Sequence, residues 1–520
     1  MHSTFLGNTR VFRKTLMAAG LVLCFGATAE AKDLRISMYA DVTGFDPHDT
    51  TDTLSYSIQS GIFERLFQFD SKMAVVPVLA TDYTSNSDAT EFTINLRQNV
   101  TFQDGTPFNA EAVKINLDRL ADPANHLKRN SLFSMIKSVD VVTPYQVRIT
   151  LNKPFGAMIN TLAHPSAVMH SPASLKQYPN EQDLSVHPVG TGPFKFVEWQ
   201  QGKDVKLVKY DNYWQKGWPK VDSVTLYPTP EDSTQVAKLK SGGVEAVYPL
   251  PSDLVDTVKS DPKLDISQNP GIYLYYIAFN TQKKEFSDVR VRQAINYAVD
   301  RNLWLKVGFA GMGSPSTSPL PKNVQFYQKQ NTPDYSYNIA KAKALMKEAG
   351  YEKGFDVEMW SSNKTDRIRS AQFLKQQLSL IGVRVKLVPM DSGSLNQRLW
   401  STPKPADAKV EMYYGAWSAS TGDADWALRP LFATESWIPS AYNVSYYSNK
   451  QVDAAITAGL QTADIAKRQA AYADAQKLLW ADAPVAFLGV PDNLVGKSKD
   501  LTGVYMLADG SLIFNQAQFK

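Results

Sequence analysis

Nucleophilic and metal chemistry is built from histidine, cysteine, serine and acidic side chains, and in this chain they are unevenly placed. The six histidines are His2, His48, His126, His164, His170 and His187, so none follows position 187. The one cysteine is Cys24. No pair has HExxH spacing and no GxSxG elbow is present. A Ser/His/Asp triad can be assembled from distant positions, yet no spacing here points to one. A metal site from His48, His126 or His164 with carboxylates has no supporting spacing either. The expectation is a protein that is not an enzyme, with no metal and no cofactor.

The densest group of ligand-type side chains is AWSASTGDADW, 416–426. Ser, Thr and Asp there could simply satisfy turn amides. Trp417 and Trp426 are unusual in a mere turn. Asp423 and Asp425 could face an ammonium group, while Ser418, Ser420 and Thr421 could bond a carboxylate. That combination suits a zwitterionic ligand. Cations raise a similar choice. Arg129 lies in the basic stretch NHLKRN (125–130), and Lys364, Arg367 and Arg369 lie at the start of a predicted helix. The helix dipole disfavours cations in a first turn, which leaves a ligand carboxylate or solvent to hold them. A planar guanidinium matches a carboxylate with two parallel hydrogen bonds.

These groups need a scaffold, and the hydrophobic pattern supplies one. Leu34, Ile36 and Met38 alternate with polar residues, as do 92–96 and 147–151, so strands are expected. Residues 58–67 read as a helix. Asn109 caps a helix with Val113, Leu117 and Leu120 inward. From Asp288 the order is more regular. A helix is expected over 289–309 with Asp288 as cap, another from Asn338 to Gly350, and a third over 367–381 ended by Gly382. Val383, Val385 and Leu387 then form a strand, and 465–480 is a further helix. VGTGPFKFVEW (189–199) lacks both GxGxxG and GxxxxGK[ST], so it reads as a structural turn rather than a phosphate loop.

Composition bounds the class. A chain of 520 residues with 43% hydrophobic and 20% charged content is expected to form two or three globular domains. Arg10, Arg13 and Lys14 precede the short apolar run 16–28 and then Ala29-Glu30-Ala31, the pattern of a cleavable secretion signal. Cleavage after Ala31 would make Lys32 the mature start. Leu23 before Cys24 does not suit a lipid anchor. Removing Arg10, Arg13, Lys14 and Glu30 leaves 52 basic and 50 acidic residues, a balance that argues against nucleic acid as partner. The mature chain would carry no disulfide.

The stretches FQDGTPFNAEAVKINLDRL, VGTGPFKFVEW, DVRVRQAINYAVDR, AKALMKEAGYEKGF and LTGVYM, after a signal peptide, resemble the extracytoplasmic solute-binding proteins of peptide-type ABC transporters. The resemblance covers essentially the whole mature chain. DPANHLKR, GAWSASTGDADWAL and YYSNKQVD are most similar to the glutathione-binding members. The resemblance implies an α/β fold: a two-lobed periplasmic binding protein, type II, peptide-binding class, with an extra inserted α+β domain. It places domain I at 32–67, 188–269 and 484–520, the inserted domain at 68–187, and the second lobe at 270–483, with hinges near 273–280 and 485–490. It implies a monomer in the periplasm that captures glutathione, a short peptide or an opine-like conjugate and delivers it to inner-membrane permease subunits. Haem or nickel on the same fold is disfavoured by the absence of histidine beyond 187. Peptide-binding relatives carry an aspartate for the ligand amine where this chain has Ser420. The resemblance therefore suggests a hydroxyl for a γ-glutamyl carboxylate, with Asp423 or Asp425 for its ammonium. One of Arg129, Lys364, Arg367 and Arg369 would hold the glycyl carboxylate. Thr51, Thr53 and Ser55 would form the opposing wall.

Overall fold

A computed structural model describes residues 32–401 and 405–520. The expected secretion segment, 1–31, lies outside them. Leu34, Ile36 and Met38 bury completely on strand Asp33–Met38. That strand pairs in parallel with Ser223–Pro228 on one side and Ala246–Tyr248 on the other. It belongs to one end of a twelve-stranded sheet. At the other end, Phe355–Ser362 and Val383–Met390 run in parallel, followed by Met412–Ser418 and Tyr273–Phe279.

The two ends meet on one long strand, Val485–Ser498. Its first residues pair with Tyr273–Phe279, with Val485 opposite Ala278. Its later residues pair with Leu264–Pro270, from Asp492 opposite Pro270 to Ser498 opposite Leu264, and with Ala246–Tyr248. The chain thus passes between the ends twice, side by side. The passage at Gly271 is tight, because a β-carbon there would lie 2.5 Å from the Pro491 carbonyl oxygen. A separate antiparallel sheet orders Ala80–Ser85, Glu91–Leu96, Gln146–Leu151 and Ile136–Thr143, with helix Ala110–Ala121 packed on it.

Local chemistry explains most element boundaries. Asn109 accepts from the Ala112 amide at 3.0 Å and starts its helix. Asn338 accepts from the Lys341 amide and starts Ile339–Glu348. Helices Thr365–Ser379 and Ile465–Asp482 lie where periodicity places them. Two expectations need correction. Residues 289–309 form two helices, Val289–Ala298 and Arg301–Phe309, because Val299 is extended and Asp300 caps the second through the Leu303 amide at 2.9 Å. Residues 58–67 are not one helix either. The helix is Thr53–Gln59, capped by Asp52 through the Ser55 amide at 2.8 Å. It ends where Gly61 meets the Phe514 ring, and Phe67 already begins a strand. VGTGP packs as a turn: a β-carbon at Gly190 would lie 2.2 Å from the Ile62 carbonyl oxygen, so glycine permits backbone-to-backbone contact there.

Candidate ligand-binding site

Strand Met412–Ser418 ends at the loop 419–423, and that loop starts helix Ala424–Phe432. Its first residues border a cavity of about 320 Å³. This volume is near the lower end of the roughly 300–1,000 Å³ typical of small-ligand sites. Trp417, Ser418 and Ser420 line one part of it, and Thr51, Thr53, Tyr56 and Arg129 another. The rings form a connected group. Trp417 packs on Tyr442 at 4.7 Å and on Trp426 at 5.8 Å between centroids, and Tyr442 meets Trp400 at 5.5 Å. The Trp417 indole N–H donates to the Trp426 carbonyl at 2.7 Å, so its ring orientation is fixed. Such rings offer apolar area at little entropic cost.

Arg129 is the candidate cation that reaches this cavity. Its Nε donates to the Thr50 carbonyl and the Tyr56 hydroxyl, both at 3.1 Å, and Nη2 donates to the Thr51 carbonyl at 2.8 Å. The guanidinium is therefore held by neutral oxygens, and among the described residues no carboxylate pairs with it. Among the described residues Nη1 has no protein partner. Burial pushes the Tyr56 hydroxyl up to about 12, against the pull of Arg129, so it stays a neutral donor to the Thr50 carbonyl. Three other polar side chains of NHLKRN serve the fold: Asn125 donates to the Arg119 carbonyl, Lys128 pairs with Asp49, and Asn130 donates to the Leu120 and Ala121 carbonyls.

The other sequence candidates lie elsewhere. Ser55 is fully buried and its Oγ accepts from the Thr43 amide at 2.9 Å. Lys364 is exposed before helix Thr365–Ser379. Arg367 stacks on Tyr275 at 4.0 Å and lies 5.6 Å from the Tyr414 ring, which answers the first-turn dipole cost with ring faces. Arg369 forks onto Asp253 at 2.9 and 3.1 Å. Thr421 is buried, and its carbonyl accepts from Asn160 at 3.1 Å.

The two aspartates expected to meet an ammonium already have cations. Asp423 is completely buried, and its Oδ1 accepts from Arg468 Nη2 and from the Asp425 amide, both at 2.9 Å. Asp425 accepts two hydrogen bonds from Arg429, each 2.8 Å. Neither borders the cavity. Their chemistry is that of a helix cap and two internal ion pairs.

Sequence reasoning missed Asp509 and Ser511, which do line the cavity. Both belong to the turn between Tyr505–Met506 and Leu512–Ile513. Asp509 is 7% exposed, and burial raises its carboxyl above the ordinary value against the bond from the Ser511 amide. The dipeptide Asp509-Gly510 signals a turn but nothing of this placement. The ring residues Trp400, Tyr413 and Tyr442 were missed too, since no spacing links them to Trp417.

A larger cavity, about 780 Å³, lies on the far side of the same loop, where residues 67–92 and 156–160 face 322–325 and 463–468. None of the sequence candidates lines it. Its acid, Asp82, is engaged by Asn95 at 2.5 Å and Thr81 at 2.9 Å. The smaller cavity is the one where the sequence candidates Arg129, Thr51, Thr53, Trp417, Ser418 and Ser420 meet, together with the Asp509 carboxyl.

His48, His170 and Asp46 cluster with ligand-like geometry. Arg119 occupies that cluster. It donates to both Asp46 oxygens, at 3.3 and 2.7 Å, and to His48 Nδ1 at 2.7 Å. His48 Nε2 must then carry the proton and donate to the Val168 carbonyl at 3.0 Å. Both ring nitrogens of His48 are in use, and the Arg119 guanidinium already sits on Asp46 and His48, with His170 Nε2 3.2 Å from the same Asp46 carboxylate, so the donor set does not fit a metal.

The profile of the bacterial extracellular solute-binding proteins, family 5, matches residues 74–438. The chain belongs to this family. A curated relative, the glutathione-binding protein GsiB of Pectobacterium atrosepticum, is 42% identical over 508 residues, 97% of this chain and 98% of the relative. Among solved structures, HbpA2 of Haemophilus parasuis matches with a TM-score of 0.83 and 28% identity, covering 94% of this chain and 100% of that one. The periplasmic binding protein DppA of Helicobacter pylori, in complex with the peptide STSA, matches with a TM-score of 0.77 and 26% identity, covering 94% and 98%. This family 5 solute-binding protein has the two-lobed, type II architecture with an additional α+β domain, and its family comprises transport receptors rather than enzymes.

Proposed function

We propose that the chain is the periplasmic receptor of an ABC importer, that it captures glutathione between its lobes, and that it presents it to inner-membrane permease subunits. It acts as a monomer without catalysis, and the mature protein starts at Lys32 after removal of 1–31. Domain I comprises 32–67, 188–269 and 484–520, the inserted domain 68–187 and the second lobe 270–483. The paired passages beside Val485–Ser498 serve as the hinge.

The observation that carries the ligand class is Arg129, a guanidinium pinned by carbonyl and hydroxyl oxygens at a cavity of tripeptide size. A fixed fork with an open donor suits a carboxylate, and glutathione has two. The near full-length similarity to glutathione-binding relatives supports glutathione within that class. A short peptide is the second reading, supported by the peptide complex of a structural relative, because the same fork would take its terminal carboxylate.

Titration calorimetry of the mature protein tests this, alongside a thermal-shift panel of reduced and oxidised glutathione, dipeptides, an opine-like conjugate and Ni²⁺. A ligand selective for the folded state raises the melting temperature by mass action. Glutathione should give the largest rise. A rise with dipeptides or opines and none with glutathione refutes the ligand assignment.

A further inference from the structure

We propose that Asp509, on the C-terminal hairpin turn, is the ammonium anchor of the ligand, in the role that Asp423 and Asp425 cannot fill. This rests on the reading of the 320 Å³ cavity as the ligand site.

The turn is built to hold one side chain still. Tyr248 donates its hydroxyl to the Gly510 carbonyl at 2.8 Å. Asn493 donates to the Leu507 and Ala508 carbonyls at 2.8 and 3.1 Å, and Asn269 to the Met506 carbonyl at 2.7 Å. The Ile272 amide donates to the Ala508 carbonyl at 2.9 Å. These donors come from strands or strand ends beside the passage between the lobes. The Asp509 carboxylate itself receives little. Its Oδ1 accepts from the Ser511 amide at 2.9 Å. The Ser511 hydroxyl lies beside it without a bond of good geometry.

Among the described residues no lysine or arginine forms an ion pair with Asp509. Arg65 attracts it from further off, while donating to the Ala163 carbonyl at 3.2 Å. Asp423 and Asp425 show the contrast, since both are buried too and each has a guanidinium at 2.8–2.9 Å. A carboxylate 93% removed from solvent at a cavity wall, with no paired cation, calls for a cation from the ligand. A primary ammonium fits. The same cavity then offers Arg129 to a carboxylate and Asp509 to an amine, which is recognition of an α-amino acid head.

The substitution Asp509→Asn tests this, since Asn keeps the Oδ1 acceptor for Ser511 and loses only the charge. Two ligand pairs are titrated against wild type and D509N: glutathione with its des-amino analogue, and a dipeptide with its N-acetyl form. The pair that wild type binds decides the ligand reading. Within that pair, wild type should prefer the amine by roughly 30-fold or more, as for a desolvated charge pair, and D509N should lose that preference. Ligand-free D509N should melt no lower than wild type, because an unpaired buried charge has been removed. An amine preference retained in D509N overturns the proposal. So does a lower melting temperature with unchanged binding, which would make Asp509 a partner of Arg65, and so does a wild type that binds neither pair.

Discussion

The strongest test of the interior concerns Arg468 and Asp423. Both side chains are nearly inaccessible, 2% and 0% exposed, and their ion pair is 2.9 Å long. Arg468→Met keeps bulk and removes the guanidinium. It leaves Asp423 buried with the Asp425 amide as its remaining donor, and breaking such a pair costs about 3–5 kcal/mol. Asp423→Ala adds loss of the cap on helix Ala424–Phe432, about 1 kcal/mol, to an unpaired Arg468. The single variants should therefore lose about 3–6 kcal/mol. The double variant Asp423→Asn/Arg468→Met removes both charges and keeps the cap oxygen, so it should recover most of that loss. Urea unfolding of wild type, Asp423→Asn, Arg468→Met and the double variant gives the coupling energy, and calorimetry with glutathione gives the affinity. The double variant should bind within about threefold of wild type, because neither residue reaches the cavity. An Asp423→Asn protein with wild-type stability but abolished binding would refute this reasoning and return Asp423 to the ligand.

Arg129→Ala should weaken binding by about 2–5 kcal/mol in calorimetry while leaving the melting temperature of the ligand-free protein nearly unchanged, since its protein partners are neutral oxygens. Ser420→Asp should weaken binding of a γ-glutamyl ligand and strengthen that of a plain dipeptide in the same titration. Burial lowers the pKa of His48, His164 and His170 in the folded state, so they stay neutral while the unfolded chain gains protons below about pH 6.5. Stability is thus complete above that pH and falls on acidification, by about 1.4 kcal/mol per histidine per pH unit until each folded-state value is reached. Urea midpoints from pH 7 to 5 should show this fall, and a flat profile would contradict it. Arg119→Met should remove the donors that hold Asp46 and His48, and cost about 3–5 kcal/mol in urea unfolding.

Much of the scaffold was legible because its signals are local. Asn109, Asn338 and Asp288 cap the helices they were expected to cap, and alternation located the strands. The errors were also local in origin. Asp300 is a second cap inside an unbroken apolar pattern, and Asp52 starts its helix earlier than the hydrophobic run suggested. The site was half legible. Trp417, Ser418, Ser420, Thr51, Thr53 and Arg129 do meet at one cavity. Asp423 and Asp425 have the composition of a ligand site, but their partners, Arg468 and Arg429, are set by packing that spacing does not encode. Asp509 was invisible for the same reason, since only the fold brings residue 509 to residues 51 and 129.

The long strand Val485–Ser498 has a consequence for the order of folding. It joins the two ends of the main sheet, pairing with chain made more than 200 residues earlier. Until residues 485–520 are available, Tyr273–Phe279 and Ala246–Tyr248 each lack a neighbour, and the Asp33–Met38 end has nothing to join. Such long-range closure makes final folding late and slow. If the proposed secretion segment directs export of an unfolded chain, the part that crosses last is the part that completes the sheet. The polypeptide would then stay threadable until it had left the compartment where it was made, and lock only on the far side.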